Sequence, residues 1–380
     1  MVYLLLVIIY LAFISLGLPD GLLGAAWPTM YPGFGVPVSY AGAVSMIVAF
    51  GTIVSSLLSD RLTYRFGTGK VTAVSVAMTA AALFGFSACT EYWMLLLWAV
   101  PYGLGAGGVD ASLNNYVALH YSSRHMSWLH CMWGVGASVG PYILGWVLSG
   151  GAHWSGGYRI VGIVQVCLTA VLFLTLGLWK DRRTEAENAE PVPLAKVFRI
   201  AGAKEILVTF FCYCALEQTA ALWASSYLTL SKGVDAETAA FFASMFFLGI
   251  TAGRALNGFL TIKFDDKTLI RMGCAVIGLG IGAMLLPGNM ALAGLLLVGL
   301  VCAPIYPCII HSTPANFGPE KSQALIGVQM ASAYVGTLLM PPLFGVIAGS
   351  IGAWVMPAYL LAILVLMALM HERMLRQVEK

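Results

Sequence analysis

Polar residues in this chain fall in short clusters, and between them run apolar stretches of the length a helix needs to cross a bilayer. About 20 mostly apolar residues suffice for one crossing. On that measure the pattern predicts twelve helices, at roughly 2–27, 38–58, 70–88, 92–118, 127–149, 158–179, 204–230, 238–260, 268–286, 290–315, 322–348 and 352–371. The first run has no basic segment before it and reads as a spanning helix rather than a cleaved signal. Lysines and arginines provide an independent check. If the N-terminus lies inside, Arg61, Arg65, Lys70, Arg124, Lys196, Lys263, Lys321 and Arg373 all fall on the cytoplasmic side, and only Arg159 and Lys232 fall outside. A missed or invented helix would scramble that asymmetry. The expectation is an all-α polytopic membrane protein of twelve transmembrane helices, in a plasma (inner) membrane, with both termini cytoplasmic.

Composition agrees. Hydrophobic residues make up 59% of the 380 and charged residues 10%, against roughly 45–50% and 25% in soluble domains. The eight cysteines lie mostly in apolar runs, where they act as small hydrophobes. Their spacing suggests neither zinc nor a disulfide framework. The longest polar stretch is charged and carries two prolines, and it reads as a solvated linker at 181–203. It separates a six-helix bundle at 1–180 from a second at 204–380.

Several polar residues stand out within the apolar runs. Asp110 follows glycines at 103, 105, 107 and 108, which allow close approach of a neighbouring helix, and shares a helical face with Asn114. Asp20 and Glu217 are the other two acids well inside spans. A carboxylate at membrane depth costs at least roughly 2.5–3.5 kcal/mol, so such groups face a bundle interior or a wet cavity. Each can be read as a structural acid satisfied by its neighbours or as a group that carries a proton. Pro19-Asp20-Gly21 also breaks its helix, and freed backbone donors could satisfy Asp20 locally.

The halves echo each other. Asp20 and Trp27 in span one are matched by Glu217 and Trp223 in span seven. Gly140-Pro141 in span five is matched by Pro341-Pro342 and Gly345 in span eleven. Corresponding Gly/Pro-marked helices in two halves indicate a transporter built by duplication. The loop Asp60-Arg61…Arg65-Phe-Gly67…Lys70 resembles the signature of the major facilitator superfamily, with Ser56 where its leading glycine often sits. Within that superfamily the chain is similar to the fucose:proton symporter family. The likeness runs through Gly17-Leu-Pro-Asp20-Gly…Trp27-Pro28, Gly105-x-Gly-x-x-Asp110-x-x-x-Asn114, Leu129-His130…Trp133-Gly134 and Tyr213…Glu217…Trp223…Tyr227. It implies two pseudo-symmetric bundles around a midplane cavity. It also implies proton coupling through Asp110 and Asp20, and a gate braced by the loop at Asp60 and Arg61, with Arg254 near the matching position of the second half.

Apart from Arg254, no lysine or arginine lies deep in a span. A carrier of phosphates or carboxylates would want a guanidinium for bidentate pairing, so the solute is expected to be neutral or cationic. Donors, acceptors and flat faces for a small sugar-like solute come from Asp20, Trp27, Asn114, His130, Trp133, Gln165, Glu217, Trp223 and Gln329. His311, between Pro307 and Pro314, reads as a structural hydrogen-bonder. No phosphate-binding glycine loop occurs, and no cofactor, metal or nucleic acid is expected. The reading is a monomeric secondary transporter working by alternating access, most simply a proton-coupled symporter importing a sugar or related neutral solute. The alternative is a proton-coupled antiporter exporting hydrophobic or cationic compounds.

Overall fold

The computed structural model describes residues 2–37, 40–180, 189–287 and 290–378, so 181–188 of the expected linker lies outside them. The described residues are mostly helical and contain no strand. In order they form α1 (Val2–Gly17), α2 (Leu22–Phe34), α3 (Ala41–Phe66), α4 (Thr68–Ser87), α5 (Tyr92–His120), α6 (Ser123–Ser149), α7 (Ser155–Leu174) and the short α8 (Gly177–Lys180) and α9 (Leu194–Val197). There follow α10 (Ala203–Lys232), α11 (Ala236–Leu260), α12 (Asp266–Leu285), α13 (Met290–Cys302), α14 (Ile305–Phe317), α15 (Pro319–Ile351) and α16 (Met356–Val378).

Among the described residues, eleven stretches are long and apolar enough to cross a membrane, and α11 adds a shorter apolar segment, Met245–Leu260. Two spans are each made of two helices. The first runs Leu4–Phe34 through the α1–α2 break, further than the expected end at Trp27, because Pro28 and Pro32 are accommodated inside α2. The other runs Met290–Phe317 and breaks between α13 and α14, before Pro304. Large apolar side chains such as Leu174 (86% exposed), Tyr142 and Trp146 point outward. Lipid is the solvent in which that surface is stable.

The chain folds into two compact units. One comprises Met1–Tyr116 and Leu129–Val192; the other comprises Val117–Trp128 and Pro193–Lys380. The turn between α5 and α6 therefore belongs with the second unit.

In the first unit, Leu22, Leu83, Leu95, Leu144, Trp154 and Val161 build a continuous apolar core. Glycines set how closely its helices approach. A Cβ at Gly107 would lie 2.5 Å from the Thr52 carbonyl oxygen on α3, and one at Gly105 would lie 2.6 Å from that of Ser75 on α4. The stripe on α5 thus serves two neighbours at once. Gly17, Gly136 and Gly140 likewise press the end of α1 onto the backbone of α6. In the second unit α10 is central and packs on α11, α15 and α16. Its buried rings include Phe210, Tyr213 and Tyr227, the last donating to the Met284 carbonyl at 2.7 Å.

Candidate functional site

Pro19 has no N–H to give, so α1 stops and the chain turns through Leu18–Gly21 before α2 begins. The turn closes with Asp20 N–H on the Gly17 carbonyl (3.1 Å) and Leu22 N–H on that of Pro19 (3.0 Å). Asp20 sits in this break, exposed although its span is apolar on both sides. Its Oδ2 accepts from Trp133 Nε1 at 2.8 Å and its Oδ1 from the Tyr102 hydroxyl at 3.3 Å. Trp133 comes from α6, held close by the glycine contacts just described, and Tyr102 opens the glycine stripe of α5. Two fixed donors orient the carboxylate and leave lone pairs on both oxygens for a solute.

Asp110, on α5, is buried. Asn114 donates to its Oδ1 at 2.8 Å and to its backbone carbonyl at 2.9 Å, and Asn114 Oδ1 lies 3.0 Å from His130 Nε2. The Asn114 oxygen can only accept, so His130 carries its proton on Nε2 here. The His130 ring stands edge-on to Phe13, with centroids 5.5 Å apart. Spans one, four and five thus supply Asp20, Asp110, Asn114, His130 and Trp133 within one unit. Gln165 on α7 donates to the Ser15 carbonyl at 2.5 Å, and its buried Oε1 has no partner among the described residues.

Trp27 lies elsewhere. It is buried in the apolar core on α2, in ring contact with Tyr31 and Tyr92. The helix break removes the continuous register that would put it on the face of Asp20.

The second unit treats its acid differently. Glu217 on α10 lies 3.6 Å from Arg254 Nη2 on α11, and the Tyr213 hydroxyl donates to the same Glu217 oxygen. Both charged residues are buried, and the Arg254 guanidinium lies over the Tyr306 ring, 5.9 Å from its centroid. Sequence alone assigns Glu217 to the solute and Arg254 to the gate. They form one ion pair, which accounts for the single cation deep in a span. Trp223 donates to the Pro341 carbonyl at 3.0 Å and packs on Phe344. Gln329 accepts from Thr313 at 3.1 Å, and its buried Nε2 has no partner among the described residues.

At the proposed gate loop, Gly67 alone joins α3 to α4, at a positive φ of 80° that suits glycine. Asp60 Oδ2 accepts the backbone N–H of Val192 at 2.8 Å, tying down the end of the polar stretch, while Arg61 is exposed.

A bundle of long apolar helices, one of them broken at an acid that solvent can reach, is the architecture of a carrier. A family model described as Major Facilitator Superfamily matches residues 9–290 and 206–376. The chain belongs to the major facilitator superfamily. Members of this superfamily are carriers rather than enzymes, and the chain is a membrane transporter. Among curated members, the glucose/mannose transporter GlcP of Bacillus subtilis is 21% identical over 356 residues, covering 88% of this chain and 86% of GlcP. Bypass of stop codon protein 6 of Saccharomyces cerevisiae is 24% identical over 283 residues, 67% of this chain, and the chain spans 56% of the yeast protein. Two structures of FucP, the Escherichia coli fucose:proton symporter, superpose with TM-scores of 0.78 (outward conformation) and 0.76 (a point variant). Their identities are 14% and 15%, with 98% of each chain covered. At that identity the likeness is one of fold.

Tyr102 and Tyr213 are the functional-site residues that sequence reasoning does not single out for a role. A signal exists for Tyr213, which stands four residues before Glu217 and hence on its face. Tyr102 is brought to Asp20 from 82 residues away, and no local pattern announces it.

Proposed function

We propose that this transporter is a proton-coupled symporter that imports a sugar or a related neutral polar solute by alternating access. The observation that carries the reading is the Asp20 constellation: an accessible carboxylate inside an apolar span, oriented by an indole N–H and a phenol O–H. Such a group binds solute hydroxyls through its remaining lone pairs, and the Trp133 indole offers a flat face beside it. The buried Asp110, joined through Asn114 to His130, is the proton carrier in this reading. The ion pair Glu217–Arg254 is charge-neutral, so Glu217 is not a lone acid that would favour a cation. The glucose/mannose transporter among the relatives supports the sugar class. In the same reading the protein is a monomer of the inner membrane. Its 1–180 and 204–380 bundles and the 181–203 linker are arranged with linker and termini cytoplasmic, and Asp60 and Arg61 brace the gate.

The test is transport in proteoliposomes with a panel of hexoses, pentoses and cationic dyes, with and without an imposed pH gradient. Uphill sugar accumulation driven by the gradient is the expected result. Dye extrusion without sugar uptake would overturn the reading in favour of an exporter.

A further inference from the structure

A second cluster of titratable groups lies apart from the acids discussed above, where the α5–α6 turn meets the rest of the second unit. His311 on α14 lies with Nδ1 2.6 Å from Asp266 Oδ2 and with Nε2 3.2 Å from the Tyr121 backbone oxygen. The Ser123 hydroxyl donates to the other Asp266 oxygen. Neighbouring contacts continue the docking of the turn. Asn257 Nδ2 donates to Ser127 Oγ at 2.7 Å, and Trp128 Nε1 to the Ala255 carbonyl at 3.3 Å, across Gly258, where a Cβ would collide with the indole.

The chemistry of the two ring nitrogens fixes a proton count. A peptide carbonyl can only accept, so Nε2 must carry a hydrogen. A 2.6 Å approach of Nδ1 to a carboxylate oxygen needs a second hydrogen between them. The pair is therefore either imidazolium with carboxylate or neutral imidazole with carboxylic acid, and both hold the same number of protons. Removing one leaves a nitrogen lone pair facing a carbonyl oxygen, or facing a carboxylate oxygen. The first turns a contact with the turn itself into a repulsion; the second does so to the α14–α12 contact that positions the ring for it. We propose that His311 and Asp266 form a proton-binding site, distinct from Asp20 and Asp110, whose occupancy by a proton holds the Tyr121–Ser123 turn against α12 and α14. By linkage, docking of the turn and binding of the proton favour each other equally.

Other titratable or charged groups on the surrounding elements are accounted for. On the turn and its flanks are His120, Arg124 and His125, the last with its ring 5.7 Å from that of Tyr121. On α12, Asp265 caps the helix, Lys267 follows Asp266, and Arg271 pairs with Glu372 of α16 at 2.5 Å. Cys308 lies on α14 itself, faces Asp266 and Ser123, and accepts from Asn257 Nδ2 at 3.7 Å. On α15, Lys321 pairs with Glu320 at 3.5 Å; between α10 and α16, Arg373 pairs with Glu205 at 3.6 Å. On α11, Arg254 is paired with Glu217.

The experiment needs no solute, so its outcome is independent of the symport reading. Hydrogen exchange of the full-length protein in nanodiscs is followed by mass spectrometry over 117–128, corrected for intrinsic rates, from about pH 6 to pH 9. For wild type, protection of the segment should fall as pH rises, by up to about tenfold per pH unit where one proton is lost. Asp266→Asn is the decisive variant. Its amide can donate to neutral Nδ1 while its oxygen still accepts from Ser123, so docking survives without the shared proton. That variant should stay protected with a flat pH profile. His125→Gln should keep the wild-type profile, and His311→Ala should lose protection at every pH. A wild-type profile that is flat, or one that Asp266→Asn or His311→Ala leaves unchanged, or one that His125→Gln abolishes, overturns the proposal.

Discussion

Among single residues, three acids in similar apolar surroundings have three different sets of neighbours. Asp20 has two neutral donors and an open side, Asp110 an amide that links it to an imidazole, and Glu217 a guanidinium. These surroundings predict different mutant phenotypes. Asp110→Asn fixes that site in its neutral form, so gradient-driven accumulation should disappear while solute exchange across an equilibrated membrane persists. Asp20→Asn removes charge-assisted bonds worth roughly 1.5–3 kcal/mol, and counterflow should show an affinity lower by about tenfold to a hundredfold. If Asp110→Asn retains full uphill accumulation, that acid is structural. For Glu217 and Arg254 the expected effect is on stability. Arg254→Met or Glu217→Gln alone strands a buried charge, at a cost of about 3–5 kcal/mol. The double variant should recover much of the loss, and melting of the four proteins in detergent measures the coupling.

The helices explain why those residues meet. Tyr102, Asp20 and Trp133 lie on three elements; glycines that face backbone bring the end of α1 onto α6, while those of α5 seat its helix on α3 and α4. Gly136→Val would push α1 off α6 and separate Trp133 from Asp20. The expected outcome is loss of both thermal stability and solute binding, whereas Gly145→Val, at a position with open space, should change neither. Helix ends are handled locally. Asp265 caps α12 by accepting from Thr268 N–H at 3.1 Å, and the Thr268 side chain also bonds it, holding its carboxyl below the usual aspartate range. With the folded value depressed, the stabilisation is present above the unfolded value near 3.9 and is lost as pH falls through the folded one. Asp265→Ala should cost about 1 kcal/mol at neutral pH and less in acid, read from melting at the two pH values.

Much of the helical arrangement is legible in sequence, and the physical reason is the bilayer. Spans must be apolar and long, so their number and rough ends can be counted, and an acid within one stands out. The Asn114 partner of Asp110 follows from four-residue spacing on one helix. Pairings between helices do not follow. Glu217 and Arg254 read as having separate roles because nothing local says that α10 and α11 bring them within reach. Trp27 looks like a neighbour of Asp20 on a helical wheel that Pro19 interrupts. The first span also runs beyond its expected end, since prolines inside α2 look like a stop in sequence and are tolerated in the structure.

Over the full chain, topology is the first quantity to measure. Single cysteines placed in 189–192 should react with an impermeant reagent only from the cytoplasmic face; labelling only from outside would overturn the predicted orientation. Residues 117–128 also govern how the protein can be divided. Carriers of two repeats invite being made as two polypeptides, cut where the chain is most polar. Here such a cut meets one boundary between the compact units, at 192/193, but leaves 117–128 on the wrong side. A fragment beginning near residue 193 would lack a piece of its own fold, leaving Asp266, His311 and Asn257 without the polar groups that cover them. That fragment should aggregate when produced by itself and become soluble in detergent when its missing segment is supplied, whether on the co-expressed first fragment or as a grafted helical hairpin. In assembly terms, the second unit is completed by chain that the ribosome makes earlier, so the α5–α6 hairpin is already present when the rest of that unit emerges and can template its packing.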